Sequence, residues 1–379
     1  LIDIPPNIGY PITMDFKIGL GYDDISLLPN FSDINSRKEV DTTTKISRNF
    51  QIKLPIILSP MDTVSSVKSC VKLNKLGGAG VLHRFMSVED QKNKAKFIKD
   101  ESNFCVTAIG LRDAEERIKA TNTYTDIYFL DTANGLAKNV EDFLRWYKTS
   151  GFSQDVIVGN TLTKESVYRL ANLKADGFRH LIGPGSMCLT QVKTGIWCPS
   201  LTGNFYAWKA VRNWELSQVD LFNQDKPNPE NRPSILADGG IRYPKDFVKA
   251  IASGCDAVIC GRIFAGLLDV VDDENLIEKD GKLFAKYRGM ASKDVVEDYE
   301  LHDGTKKNLF VEGDNTLIPI NQSVTIEDVV YDFINGLRSA MSYLGFRSIN
   351  DMRGGLWLNK IKAIKITANS MYEGDSHGK

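Results

Sequence analysis

The sequence lacks most of the patterns that would assign it at sight. Its six cysteines, at positions 70, 105, 188, 198, 255 and 260, contain no CxxC pair and no Cys/His metal spacing, which argues against a zinc module or a disulfide framework. Charge of one sign is missing too. The formal net charge is −1 with 25% charged residues, so no global basic field points to nucleic acid and no acidic excess points to disorder. No apolar run approaches the roughly 20 residues needed to span a bilayer. The opening Leu1-Ile2-Asp3-Ile4-Pro5-Pro6 has no basic region followed by an apolar core, unlike a secretory leader. The expectation is a reducing, intracellular compartment, the cytoplasm, with neither a membrane nor a nucleic acid as partner.

What the chain does have is 379 residues at 42% hydrophobic content, enough for one barrel-sized core or two smaller ones. Short apolar runs recur around Ile56 and Val81, then at Cys105–Ile109, Ile127–Leu130, Val156–Val158, Phe178–Ile182, Ser234–Ala237 and Ala257–Cys260. Between them lie amphipathic stretches, Val64–Leu76, Arg112–Ala120, Val140–Tyr147, Lys164–Leu173 and Pro244–Ala252, and helical periodicity returns at Val324–Leu344. Eight strands alternating with helices predict an α/β fold, a parallel (β/α)8 TIM barrel, with an open doubly wound sheet as the alternative. The expected organisation is an N-terminal arm over 1–20, one barrel domain over 21–350 and a tail over 351–379. Within the barrel, 195–233 reads as a loop insertion because of its Pro/Asn-rich run Asn223–Asn231, and about 287–320 as an active-site flap.

A barrel gathers its active site at the C-terminal ends of its strands. The residues there are polar and glycine-rich: Ser59-Pro60-Met61-Asp62, Asp131-Thr132-Ala133-Asn134-Gly135, Gly159-Asn160-Thr161, Asp238-Gly239-Gly240 and Gly261-Arg262. The most telling stretch is Gly183-Pro184-Gly185-Ser186-Met187-Cys188-Leu189-Thr190. Its glycines let the main chain approach a ligand, its amides suit an anion, and Cys188 offers a nucleophile with the Thr190 hydroxyl nearby. The plainer reading is a strand-to-helix turn with an inert, buried cysteine. Cys70, Cys105, Cys255 and Cys260 sit in apolar runs and read as small buried side chains.

GPGSMC, SPMDTV (59–64), ILADGGIR (235–242), YRGMAS (287–292) and GLRSAMSYLG (336–345) together resemble motifs of the IMP dehydrogenase/GMP reductase family, over about residues 20–350. The resemblance implies a homotetrameric barrel that transfers hydride between C2 of a purine mononucleotide (GMP or IMP) and a nicotinamide cofactor, through a thioimidate on the cysteine. Cys188 matches that nucleophile. Ser186, Gly240, Gly261, Arg262 and Tyr287 match positions around the phosphate, and Asp238 matches the carboxylate that takes the ribose hydroxyls. Ser59, Met61, Gly289 and Met290 match the purine surroundings. Asp131, Thr132, Ala133 and Asn134 match the face where the nicotinamide lies. Backbone carbonyls of Gly183, Gly185 and Cys188 match those that hold a monovalent cation, such as potassium, in many members.

The same resemblance frames the choice of branch. Dehydrogenases carry an Arg-Tyr pair on the flap, whereas this chain has Glu297-Asp298-Tyr299-Glu300, with a carboxylate at the arginine position. Reductases use a Thr–Glu pair instead. Thr190 matches the threonine and Glu312 the glutamate, with Asp303 as the alternative acid. These features favour GMP reductase with NADPH. IMP dehydrogenase with NAD is the alternative, and a nucleotide-binding member without chemistry is a second one. The interval between His83 and Cys105 leaves no room for the CBS pair that many dehydrogenases insert.

Overall fold

The computed structural model describes residues 17–218, 231–298 and 311–375. Eight parallel strands form the central sheet, in chain order β1 (Ile56–Leu58), β2 (Val81–Leu82), β3 (Val106–Ile109), β4 (Ile127–Asp131), β5 (Asp155–Thr161), β6 (Gly177–His180), β7 (Ser234–Asp238) and β8 (Ala257–Cys260). Each pairs with its neighbours in sequence, and β8 pairs with β1. The remaining gap, between β1 and β2, is bridged in parallel at Ile57 and Ala79, with Leu58 N–H donating to Ala79 O at 2.9 Å and Ala79 N–H to Ile56 O at 3.1 Å. The sheet is therefore a (β/α)8 barrel.

With helices outside and packed side chains inside, most of the strands are apolar on both faces, β6 with its Arg179 and His180 being the exception. Ile57, Val106, Phe129, Ile157, Leu236 and Ile259 share one cluster inside the barrel, while Ile56, Leu58, Leu130, Val158, Ile235 and Val258 belong to the cluster that includes helix residues. The outer ring consists of α1 (Val67–Leu76), α2 (Val88–Ser102), α3 (Ala114–Thr121), α4 (Lys138–Thr149), α5 (Lys164–Asn172), α6 (Ser200–Ser217), α7 (Pro244–Ala252) and α8 (Ile326–Leu344). Local chemistry sets their ends. Ser66, Ser87, Thr163 and Thr325 accept the first free amides of α1, α2, α5 and α8, and Gly77 ends α1 in the left-handed region.

Three segments carry more structure than their sequence specifies. The 195–233 segment, read as a loop, contains the 18-residue α6, the helix that its βα unit requires; residues 219–230, with most of the Pro/Asn run, lie outside the described residues. The segment of about 287–320, read as a flap, opens and closes on the strands Lys282–Arg288 and Asn315–Pro319 of a small antiparallel sheet completed by Leu276–Lys279, and it carries a short helix at Lys293–Asp298. The tail beyond 350 returns a strand, Lys362–Lys365, to Ile25–Leu28. The single helix α2 joins β2 to β3, which leaves no inserted domain between them.

Candidate active site

Loops from β1, β6, β7 and β8 converge at the C-terminal mouth. A Cβ built on Gly261 would stand 3.1 Å from both Met61 Sδ and the Tyr287 hydroxyl, and 3.7 Å from Ser59 Cβ. Tyr287 itself shares a hydrogen bond of 3.1 Å with Ser186 Oγ. Burial raises its pKa, partly offset by the Ser186 bond and by the nearby Arg262. On the other side, Gly239 and Gly240 have φ of +82° and +77°, and a Cβ on Gly239 would lie 3.0 Å from the Gly185 amide nitrogen. A side chain at either would be strained and would push the two loops apart. Thus Ser59, Met61, Gly240, Gly261, Tyr287 and Ser186, separated in sequence, form one glycine-lined wall.

The cysteine loop forms another. Gly183 has φ of +97° and is covered by Trp197, whose ring carbon would be 2.7 Å from a Cβ there. Cys188 is half-buried, its amide bonds Gly185 O at 3.0 Å, and its thiol donates to Thr190 Oγ1 at 3.3 Å. The loop then pairs antiparallel with the far end of the 287–320 segment. Cys188 bridges Gly313, Leu189 N–H donates to Glu312 O at 2.7 Å, and Asp314 N–H donates to Met187 O at 3.0 Å. Gly289 completes the packing, with Met187 O only 2.8 Å from a Cβ position, and Met290 packs on the core beside it. The register sets Glu312 opposite Leu189, one residue from Thr190. Asp303, Tyr299 and Glu300 lie outside the described residues.

The other thiols are unsuited to chemistry. Burial pushes Cys105 up to about 12 and raises Cys70, Cys255 and Cys260 as well, and it also raises half-buried Cys198. A thiol must ionise to act as a nucleophile, so a loop cysteine with access to the mouth is the better placed group.

Across the mouth runs a chain of charges. Arg84 Nε donates to Asp131 Oδ2 at 3.1 Å, Arg179 Nη1 to Asp131 Oδ1 at 2.5 Å, and Arg179 Nε to Asp238 Oδ2 at 2.7 Å. Asn160 Nδ2 also donates to Asp238 Oδ2, at 2.8 Å. Burial works to raise the Asp131 carboxyl, but Arg179 and Arg84 outweigh it and hold the pKa below its ordinary value. Thr132 turns its amide and hydroxyl to Gly159 O and the Gly135 amide bonds Asn160 O, which ties the loop to β5, while Asn134 Oδ1 accepts the Leu136 amide within the loop itself. Sequence reasoning left Arg179 without a role, although it joins the two carboxylates expected to face ribose and nicotinamide.

Arg288 occupies the base of the site. Its Nε donates to Asp62 Oδ2 at 3.0 Å and its Nη1 pairs with Asp298. The carboxylate at the expected flap-arginine position is thus bound to a resident arginine.

Among the described residues, no group of three or more His, Cys, Asp or Glu side chains could hold a metal ion. The Gly183–Cys188 turn offers carbonyls instead, and the Gly185 carbonyl that takes the Cys188 amide retains a second lone pair. No described helix is long and apolar enough to cross a membrane.

Comparison with known proteins adds an independent finding. The model of the IMP dehydrogenase / GMP reductase domain matches residues 19–377. The inosine-5'-monophosphate dehydrogenase of Cryptosporidium parvum is 30% identical, covering 96% of this chain and 96% of the relative. The GMP reductase of Lactococcus lactis subsp. lactis is 32% identical, covering 94% and 97%. That of Streptococcus agalactiae serotype III is 31% identical, again covering 94% and 97%. Both activities occur among relatives at the same level of identity.

Proposed function

We propose, from the premise that this chain belongs to the IMP dehydrogenase / GMP reductase family of NAD(P)-dependent oxidoreductases, that it is a GMP reductase: GMP, NADPH and two protons give IMP, NADP+ and ammonium. The observation that carries this reading is the Cys188 thiol at 3.3 Å from Thr190 Oγ1, on a loop paired through its backbone with Glu312. Cys188 Sγ adds to C2 of the purine, and the Thr190–Glu312 pair moves protons to the departing C2 amine. Ammonia leaves, and a thioimidate holds C2 on Cys188. NADPH supplies the hydride to C2 when bound. The C–S bond then breaks, the thiolate is restored, and IMP is released.

In this reading Ser186, Gly240, Gly261, Arg262 and Tyr287 hold the phosphate through hydroxyls, amides and charge. Asp238 accepts the ribose hydroxyls, and Ser59, Met61, Gly289 and Met290 enclose the base. Asp131, Thr132, Ala133 and Asn134 face the nicotinamide riboside, and the carbonyls of Gly183, Gly185 and Cys188 hold potassium. The assembly is a cytoplasmic homotetramer. The branch rests on Asp298, which stands where a dehydrogenase carries its water-activating arginine and is paired with Arg288.

The second reading is IMP dehydrogenase, in which IMP, NAD+ and water give XMP, NADH and a proton; the similarity to the Cryptosporidium parvum enzyme favours it. Absorbance at 340 nm, followed with GMP plus NADPH and separately with IMP plus NAD, separates the two. Loss of reduced cofactor with GMP alone is the expected result. A gain with IMP alone would overturn the branch.

A further inference from the structure

On the outside of the barrel, α6 and the segment that follows the helix Ile349–Trp357 enclose a cleft of about 600 Å³, within the range of small-molecule sites. Its walls are aromatic and cationic. Phe205 and Trp208 stack at 5.4 Å, Trp208 meets Trp357 at 6.3 Å, and Trp357 is 47% exposed. Lys209 Nζ lies 4.5 Å from the centre of the Phe205 ring, and Arg212 Cζ 4.4 Å from that of Trp357. No carboxylate lines the cleft among the described residues.

Beneath it the charges do not balance. Arg212 pairs with Glu215 at 3.1 Å, Glu215 also faces Arg232 at 3.6 Å, Arg232 binds Asp256 at 2.6 Å, and Arg353 stands 3.9 Å from the same aspartate. Three guanidiniums therefore share two carboxylates, and exposed Lys209 adds a further positive charge at the rim of the cleft. Arg212 Nε and Arg353 Nη2 are buried with no hydrogen-bond partner. Burial, with Arg232 beside it, brings Arg353 down to about 10. Excess positive charge held out of water is costly unless an anion compensates it.

We propose that this cleft is a second ligand site, distinct from the barrel mouth, for an anion that carries a planar aromatic ring, the chemistry of a nucleotide. The ring lies against Trp357 and Phe205, where an apolar face and a cation are offered together, and the phosphate groups meet Lys209 and Arg212. The inference stands on the cleft alone and does not depend on the reaction proposed for the mouth.

The test is an ATP titration of the full chain, followed by tryptophan fluorescence. The expected result is a saturable change, with Arg212→Gln and Trp357→Leu each weakening ATP by about tenfold or more and the mouth variant Asp238→Ala leaving the affinity unchanged. Adenosine alone and pyrophosphate alone bind more weakly than ATP, because each satisfies only half of the site. Should Trp357→Leu fail to fold, Lys209→Gln, at an exposed position, replaces it with the same expected loss. No saturable change, equal affinity in the cleft variants, or loss of affinity in Asp238→Ala would overturn the proposal. So would a change in the sedimentation of Trp357→Leu without an effect of ATP on the parent, which would make the cleft a contact between copies.

Discussion

At Arg179 one guanidinium holds two carboxylates, Asp131 and Asp238, that the chain places more than a hundred residues apart. This makes their geometry at the mouth a property of β6 rather than of their own loops. It also has a consequence for stability against pH. The folded protein holds the Asp131 carboxyl below its ordinary value, so the pair contributes stability that is fully present above the unfolded value of about 3.9 and is lost as pH falls through the lower folded value. Unfolding by urea at a series of pH values from neutral to acid should show that loss in the parent and a shallower one in Asp131→Asn. An unchanged slope would mean that Asp131 is not held in its charged form. Of these three residues the sequence made two legible, because Asp131 and Asp238 end apolar runs where a barrel keeps its chemistry. Arg179 lies within Phe178–Ile182, where it reads as a lone charge in a strand, and only the alternation of a closed barrel turns its side chain toward the mouth.

At the scale of elements, β5 and β6 approach so closely at Gly159 that a Cβ there would stand 2.3 Å from Arg179 Cβ. Gly159→Ala should therefore lower unfolding stability by about 1–3 kcal/mol and raise the KM for the cofactor through displacement of Arg179. Gly354→Ala is the control: it lies in the helix Ile349–Trp357 with nothing within 4 Å of the Cβ position, and should stabilise by about 0.5–1 kcal/mol with no effect on KM. Equal effects of the two would contradict the packing argument. The elements themselves were legible where apolar runs ended in glycine, proline or a capping residue, as Pro244–Ala252 shows by matching its helix end for end. Two helices of the outer ring were not. In α2 only Gln91, Ala95 and Ile98 are buried, too few apolar positions to reveal a period. In α6, aromatic and polar residues alternate without a clear stripe, and the breaker-rich run that follows it colours the whole segment as loop.

For the molecule as a whole, the pairing of β8 with β1 is what brings the loop after β1 beside the loops after β6, β7 and β8, and the bridge of Ile57 to Ala79 completes the ring. A sheet open between β1 and β8 would leave Ser59 and Met61 at one edge and Gly261 at the other. Closure was expected from eight alternating units, and a Thr190–Glu312 pair from the resemblance, but the backbone pairing of the Cys188 loop with Glu312 and Gly313 was not, because it depends on the segment before Asn315–Pro319 folding back over the mouth. The central claim is that the sulfur brought to this mouth forms the bond to C2. The most direct measurement compares Cys188→Ala with the parent for cofactor turnover on a purine nucleotide, with circular dichroism as the control for folding. The account predicts a loss of about 10³-fold or more in kcat, since no other thiol can take over the covalent step. Retention of parental turnover by the folded variant would contradict it.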